Sequence, residues 1–245
     1  MQFFLDDLPI GQIEDRWAEL LLRVLPAAHL DHAVIRWQPG SDDPAERSAQ
    51  IQAAALALRA YGAVSGWRDE RYRCEEPVVE PCLAFGAELF QLERAAFRFF
   101  GLMSRAVHVN GLRADGQVWC GRRAPRKAID PGRLDSLAAG GLGAGEDVLD
   151  CARRELFEEA GVPPALAAAL VGRGAVRTRR AEPEGWHDEV LHVFDLLLPD
   201  DFVPANQDGE VSEFILLAQP VLLARLGELT EDAAAALRQS VLRPR

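Results

Sequence analysis

Apolar residues recur along the chain at three- and four-residue intervals in some stretches and alternate with polar ones in others, and the two periods predict different elements. Helical spacing puts Trp17, Leu20, Leu21 and Val24 on one side of a helix over residues 14–24. A second helix is expected over 45–61, introduced by the Asp43-Pro44 step. Short strands are expected at 32–37, 72–75 and 88–92, the last two flanking Pro77 and Pro81, with a turn at Pro9-Ile10-Gly11. From Gly101 onward the strands lengthen. Residues 105–110 and 117–122 alternate well enough for a hairpin turned by Ala114-Asp115-Gly116. A helix over 147–160 follows, then a short one closing over 165–172 and strands at 174–178, 189–198 and 211–218. Residues 179–188 read as a lid or a hairpin tip, 199–209 as an acidic loop, and two amphipathic helices complete the chain. This pattern divides the chain into a small α+β unit over 1–100 and a larger α/β domain over 101–245.

The predicted helix over 147–160 carries an unusual face. At about 100° per residue, Glu155, Glu158 and Glu159 fall within an arc of roughly 100°. Leu149, Ala152, Leu156 and Ala160 form the neighbouring apolar stripe, and Gly161 with Pro163 and Pro164 stops the helix. Carboxylates at such spacings repel by a few tenths of a kcal/mol per pair in a bare helix. A hard cation such as Mg²⁺ or Mn²⁺, which takes oxygen ligands, removes the objection. The plainer alternative is a solvated acidic face with Arg154 paired to Glu158.

Composition narrows the partners. A net charge of −11 leaves no basic stripe of the kind that displaces counterions from nucleic acid, so none is expected as a partner. Against that background the cluster Arg122, Arg123, Arg126 and Lys127, the last being the chain's single lysine, is a candidate phosphate contact or simply an exposed basic loop. Cys74, Cys82, Cys120 and Cys151 form no CxxC pair, and neither a basic leader nor eighteen consecutive apolar residues occur, so a reducing cytoplasm and no membrane association are expected. His29 and His32, three apart, lack a third ligand and read as loop residues. Trp37, Trp67, Phe97, Phe99 and Phe100 read as core or domain-contact residues, and His192 as a strand residue.

From Gly140 to Val162 the sequence resembles the Nudix box: Gly140, five residues, Glu146, seven residues, then Arg154-Glu155-Leu156-x-Glu158-Glu159-x-Gly161-Val162. A chance match to every position in a chain of this length is on the order of one in ten million. Trp119, Arg122-Arg123, Lys127, Pro131-Gly132, Leu134-Asp135, Ala139-Gly140-Gly141 and Asp208-Gly209-Glu210-Val211 extend the resemblance. They are similar to a Nudix subgroup containing plant enzymes with an added N-terminal domain and the Nudix portion of fungal thiamine pyrophosphokinase. Ser136 departs from it, since the subgroup usually has Asn there.

The resemblance implies a Nudix α/β/α sandwich with a mixed sheet, following the small N-terminal domain. It implies Mg²⁺ or Mn²⁺ held by Glu155, Glu158, Glu159 and the backbone carbonyl of Ala139, with Arg154 orienting them, Gly140, Glu146, Gly161 and Asp208 supporting, and Arg122, Arg123 and Lys127 facing substrate. Glu155 and Glu210 are both candidate bases, and Glu189 is a third. Cys151, one turn ahead of Glu155, reads either as a small helix residue or as a point where oxidation would disturb the metals. The implied reaction is hydrolysis of a diphosphate linkage in a small organic diphosphate, with thiamine diphosphate or its damaged analogues as one substrate class. Nucleoside diphosphate derivatives such as a dinucleotide or ADP-ribose are the rival. A non-catalytic diphosphate-binding module is the alternative of another class, while prenyl diphosphate isomerisation lacks its Cys and Glu pair. The N-terminal unit is expected to recognise substrate or to form a homodimer.

Overall fold

The computed structural model describes residues 1–77, 83–127 and 129–242; Pro81 and Cys82 lie outside them. By its contacts the chain forms two units. The first takes Met1–Ser104, Gly143–Gly145 and Arg179–Glu189, and the second Arg105–Leu142, Glu146–Thr178 and Val190–Arg245. No helix among the described residues is long and apolar enough to cross a membrane.

In the first unit, β1 (Gln2–Leu5) and β2 (Leu8–Gln12) pair antiparallel. β3 (Ala28–Asp31) and β4 (Val34–Trp37) complete a sheet of order β2-β1-β4-β3, β4 running parallel to β1. The turn expected at Pro9 is therefore strand. The reversal falls at Asp6-Asp7, and proline is tolerated because β2 is an edge, where its missing N–H need not break the ladder. The expected helix over 14–24 opens with a 3-10 turn, Asp15–Trp17, before α1 (Ala18–Val24). What reads as one strand over 32–37 is a hairpin, with His29 on β3 and His32 in the turn, both exposed.

The second helix, α2 (Pro44–Ala60), starts where Asp43 accepts the Ala45 N–H at 2.9 Å, a side-chain cap followed by proline in the first turn. β5 (Arg71–Glu75) pairs antiparallel with β6 (Glu88–Glu93). α2 supplies partners that a third strand would otherwise provide: Ser48 Oγ accepts the Gln91 N–H at 2.7 Å and Gln52 Oε1 the Glu93 N–H at 3.0 Å. This protects an edge that would otherwise be open to pairing. α3 (Arg94–Phe100), which no periodicity predicts, buries Phe97, Phe99 and Phe100 among Phe3, Trp37 and Phe90. Phe3 and Phe100 stand 5.5 Å apart at their ring centroids, and Trp37 meets Phe90 edge-on at 5.7 Å.

The larger domain is built on a sheet of order β11-β12-β7-β8-β13, drawn from β7 (Ser104–Leu112), β8 (Val118–Arg123), β11 (Val171–Glu182), β12 (Gly185–Leu197) and β13 (Val211–Leu217). Two short strands not visible in the sequence pattern, β9 (Leu134–Asp135) and β10 (Ala138–Gly141), pair with β8 and β7 respectively. Residues expected to form a loop over 179–188 are strand ends, so that stretch is a hairpin tip rather than a lid.

Side-chain alternation along the strands loads both faces of this sheet. Val107, Val109 and Trp119 pack with α4 (Val148–Ala160) and α5 (Pro164–Ala167). Val118 and Cys120 pack with α6 (Gln219–Ala224) and α7 (Glu231–Gln239). The result is a sheet between helical layers, the α/β/α arrangement that the resemblance implied.

His192 lies on β12, where Arg105 Nη1 approaches its Nε2 at 3.3 Å. Burial, and secondarily the Arg105 charge, push its pKa down to about 4. An unfolded histidine titrates near 6.5, so between pH 6.5 and 4 the unfolded chain takes up the proton and stability falls as pH falls. The loss amounts to about 3 kcal/mol at most. Chemical denaturation from pH 7 to 4 is therefore expected to show a shallower loss in His192→Gln than in the wild type, and parallel curves would contradict it.

Candidate functional site

The helix carrying the acidic motif is α4, and its sequence accounts for both ends. Asp147 accepts the Leu149 N–H at 2.8 Å, and Gly161 takes φ 64°, the left-handed conformation that closes a helix. A side chain at Gly161 would also meet the Ala205 carbonyl oxygen at 2.7 Å. The buried arc differs from the one periodicity predicts. Leu149 is 40% exposed, and Cys151, Ala152, Glu155, Leu156, Glu159 and Ala160 line the interior. These six span about half the helix circumference. The apolar stripe alone is too narrow to cover β10, so two of the carboxylates go inside with it, while Glu158 stays at the rim.

Glu159 lies against β10, where its Oε2 accepts the Ala139 N–H at 2.9 Å. Glu155 occupies the space above Gly140: a Cβ built on that glycine would fall onto its carboxylate. β10 itself is held in register on β7, Ala139 opposite His108 and Gly140 opposite Val107. Burial raises the pKa of both carboxyls, Glu159 more strongly, with the Glu155 charge adding to the burial effect at Glu159.

Arg154 ties the motif together. Its Nε and Nη2 grip both Glu146 oxygens at 2.8 and 3.0 Å, and its Nη1 is shared between Glu155 at 2.6 Å and Glu158 at 3.1 Å. The planar fork that makes this possible is specific to arginine. Cys151 is fully buried beside it, with Sγ 3.5 Å from the Gly141 carbonyl oxygen, and burial pushes the thiol pKa well up. Burial and the raised pKa both disfavour the reactive thiolate, which counts against Cys151 as a point of oxidation.

A second acidic element comes from residues 205–210. Its Ala205 and Gln207 N–H groups donate to the Ala160 and Glu158 carbonyls at 3.0 and 2.9 Å, satisfying acceptors the helix leaves open. Asp208 Oδ1 accepts the Glu210 N–H at 2.7 Å. The effect is to bring one oxygen each of Glu159, Asp208 and Glu210 within 4.8 Å of one another. Asp208, which the motif alone placed only in support, thus sits in the acidic group itself, and Glu155 and Glu158 stand beside it in the grip of Arg154.

The basic cluster divides. Arg122 pairs with Glu213 and donates to the Gly132 carbonyl at 2.9 Å; Arg123 pairs with Asp135 at 2.8 Å and bonds the Ile129 carbonyl. Both guanidinium groups therefore bond protein oxygens, Arg122 reaching Gly132 and Arg123 reaching Ile129. Lys127 pairs with Glu210, and its charge is felt at Glu159. Glu189 belongs to the other unit, where it accepts the Ser104 hydroxyl at 2.7 Å.

Two features were assigned no role in the sequence reading. His108, Ser136 and Asp135 form a buried chain, His108 Nδ1 lying 3.0 Å from Ser136 Oγ, and Asp135 contributes to the charge felt by Glu159. Asn206 bonds both the helix end and Asp208. The Asn-x-Asp spacing was the available hint, since both residue types favour side-chain-to-backbone turns.

The packing of Glu155 over Gly140 can be tested without any ligand. Gly140→Ala is expected to destabilise by about 1–3 kcal/mol through overpacking. Gly140→Ala/Glu155→Ala should recover much of that loss in denaturant unfolding; strictly additive losses would contradict the contact.

Residues 103–239 match the family model of the NUDIX domain, and residues 1–104 match a domain of unknown function, DUF4743. Nudix hydrolase 24, chloroplastic, from Arabidopsis thaliana is 36% identical over 214 residues, covering 83% of this chain and 57% of that protein. Nudix hydrolase 20, chloroplastic, from the same plant is 39% identical over 178 residues, covering 71% and 46%. The chain thus spans about half the length of these curated relatives. Among solved structures, DR0079 from Deinococcus radiodurans aligns with a TM-score of 0.53 at 25% identity, covering 69% of this chain and 98% of that one. With a complete acidic motif running from β10 through α4 and a family match over more than half its length, the chain belongs to the Nudix family.

Proposed function

We propose that the protein hydrolyses the diphosphate linkage of a small organic diphosphate in a Mg²⁺- or Mn²⁺-dependent reaction. The observation that carries this reading is the crowding of carboxylates around Glu159, with Glu155 buried beside it and Asp208 and Glu210 brought to it from a separate loop. Like charges at such spacing in a desolvated site are unfavourable unless a cation or protons compensate. The donor set is all oxygen, which suits a hard dication better than zinc or copper. Glu155, Glu158, Glu159 and the Ala139 carbonyl would hold it, with Asp208 and Glu210 adjacent.

When bound, such a cation neutralises phosphate oxygens and makes bound water a stronger nucleophile at neutral pH. The residues do the rest. Arg154 fixes the orientation of Glu155 and Glu158 through hydrogen bonds on one oxygen of each. The attacking water adds to one phosphorus, the bridging oxygen leaves with the other phosphate, and a carboxylate takes the water's proton. Glu155 and Glu210 are the candidate acceptors, with Glu189 a weaker third. Lys127, a compact charge now on Glu210, is suited to meet a substrate phosphate oxygen.

Thiamine diphosphate and its damaged analogues are the substrate class favoured by the subgroup resemblance, and nucleoside diphosphate derivatives are the rival. A panel of both, assayed for phosphate or phosphomonoester release with Mg²⁺ or Mn²⁺, separates them. EDTA is expected to abolish turnover of whichever substrate is cleaved, and Glu158→Gln to lower it by two orders of magnitude or more with an unchanged circular dichroism spectrum. Equal rates in the variant would contradict the ligand assignment. Binding of a diphosphate with no cleavage over hours would favour the non-catalytic module.

A further inference from the structure

The acidic group combines side chains from two elements far apart in sequence, Glu159 on α4 and the pair Asp208 and Glu210 on the loop. Backbone bonds from Ala205 and Gln207 fasten the start of that loop to the helix end. A side chain adds a further link. Asn206 Nδ2 donates to the Glu159 carbonyl at 3.2 Å and to Asp208 Oδ1 at 2.7 Å, while its Oδ1 accepts the Gly209 N–H. All of its polar hydrogens and its carbonyl oxygen are therefore used, one bond reaching the very residue whose carboxylate lies in the group.

We propose that Asn206 is a positioning residue: it clamps the loop carrying Asp208 and Glu210 to the last turn of α4, so that these two carboxylates stand preorganised beside Glu159 and the other groups that would hold the cation. The role requires two donors and an acceptor on a short side chain. Aspartate in its place would keep the acceptor, lose both donors and set a third negative charge against Asp208 and a helix carbonyl end that already repels it. Lys127 on Glu210 and Arg126, which donates to the Asp208 carbonyl at 3.0 Å, steady the far side of the same loop but leave it unattached to Glu159. Loss of a residue that orients ligands in this way typically costs 10–100-fold in metal affinity.

This inference rests on the cation-binding reading above, and two measurements keep the two apart. Amide hydrogen exchange on the metal-free protein reads the clamp directly. In Asn206→Ala the Gly209 amide, which donates to the Asn206 side chain, should exchange at least tenfold faster than in the wild type, with exchange across β7 and β12 unchanged. Mn²⁺ titration of the substrate-free protein, followed by electron paramagnetic resonance, reads the consequence. Wild type should bind, and Asn206→Ala and Asn206→Asp should bind at least about tenfold more weakly, kcat falling with KM little moved.

Unchanged exchange in Asn206→Ala overturns the clamp. Faster exchange with wild-type Mn²⁺ affinity overturns the positioning role, and wild-type affinity in Asn206→Asp shows that the Gly209 bond alone sufficed, which overturns it too. Should the wild type itself bind no Mn²⁺, the cation reading fails and the positioning role falls with it, whereas Glu158→Gln weakening Mn²⁺ while leaving Gly209 exchange untouched supports both.

Discussion

Two glutamates of α4 are buried against a strand, and the rest of the larger domain is arranged so that this is tolerable. Removing a carboxylate from water costs several kcal/mol unless the charge is met by hydrogen bonds, an opposite charge or a proton. Glu159 takes the Ala139 N–H, Glu155 takes the Arg154 guanidinium, and both carboxyls are still pushed toward their protonated forms. The compensation is therefore incomplete within the protein itself. A site left short of positive charge in this way is suited to import it, and that is the physical core of the proposed metal-dependent hydrolysis.

Around this constraint the structural residues acquire reasons. Gly140 lacks a side chain because the Glu155 carboxylate occupies that volume, and Gly161 ends the helix in a conformation that lets Ala205 approach its last carbonyl. Arg154 serves three carboxylates at once, which a lysine could not do with the same geometry. Short β10 is indispensable despite its four residues, since it offers both the Ala139 N–H and the Gly140 surface.

The helix end is where local and tertiary structure meet. Val162 and Gly161 satisfy the Leu156 and Phe157 carbonyls within the helix's own cap, and the loop at 205–207 satisfies those of Glu158, Glu159 and Ala160. Backbone accounting and site assembly are thereby the same event: a loop that docks to complete a helix necessarily delivers Asp208 and Glu210 to Glu159. The first unit shows the same economy, with α2 side chains completing the edge of β6.

Much of this was legible in the linear chain. The spacing of Glu155, Glu158 and Glu159, the Asp147 and Gly161 helix signals and the Gly140-to-Val162 pattern depend on local geometry and residue chemistry, which sequence carries directly. Strands β7, β8, β12 and β13 announced themselves by alternation or apolar density. What stayed hidden has a common cause. β9 and β10 are too short to show a period, Pro9 in β2 is permitted only because that strand lies at an edge, and α3 is defined by aromatic residues whose burial depends on distant partners. Which of four basic residues reaches the acidic group, and that Asp208 joins it through Asn206, turns on pairings across tens of residues. Sequence by itself settled the chemistry available on one helix face; only tertiary structure decided which groups from elsewhere meet it, because burial and long-range hydrogen bonds are properties of the folded chain and of no segment within it.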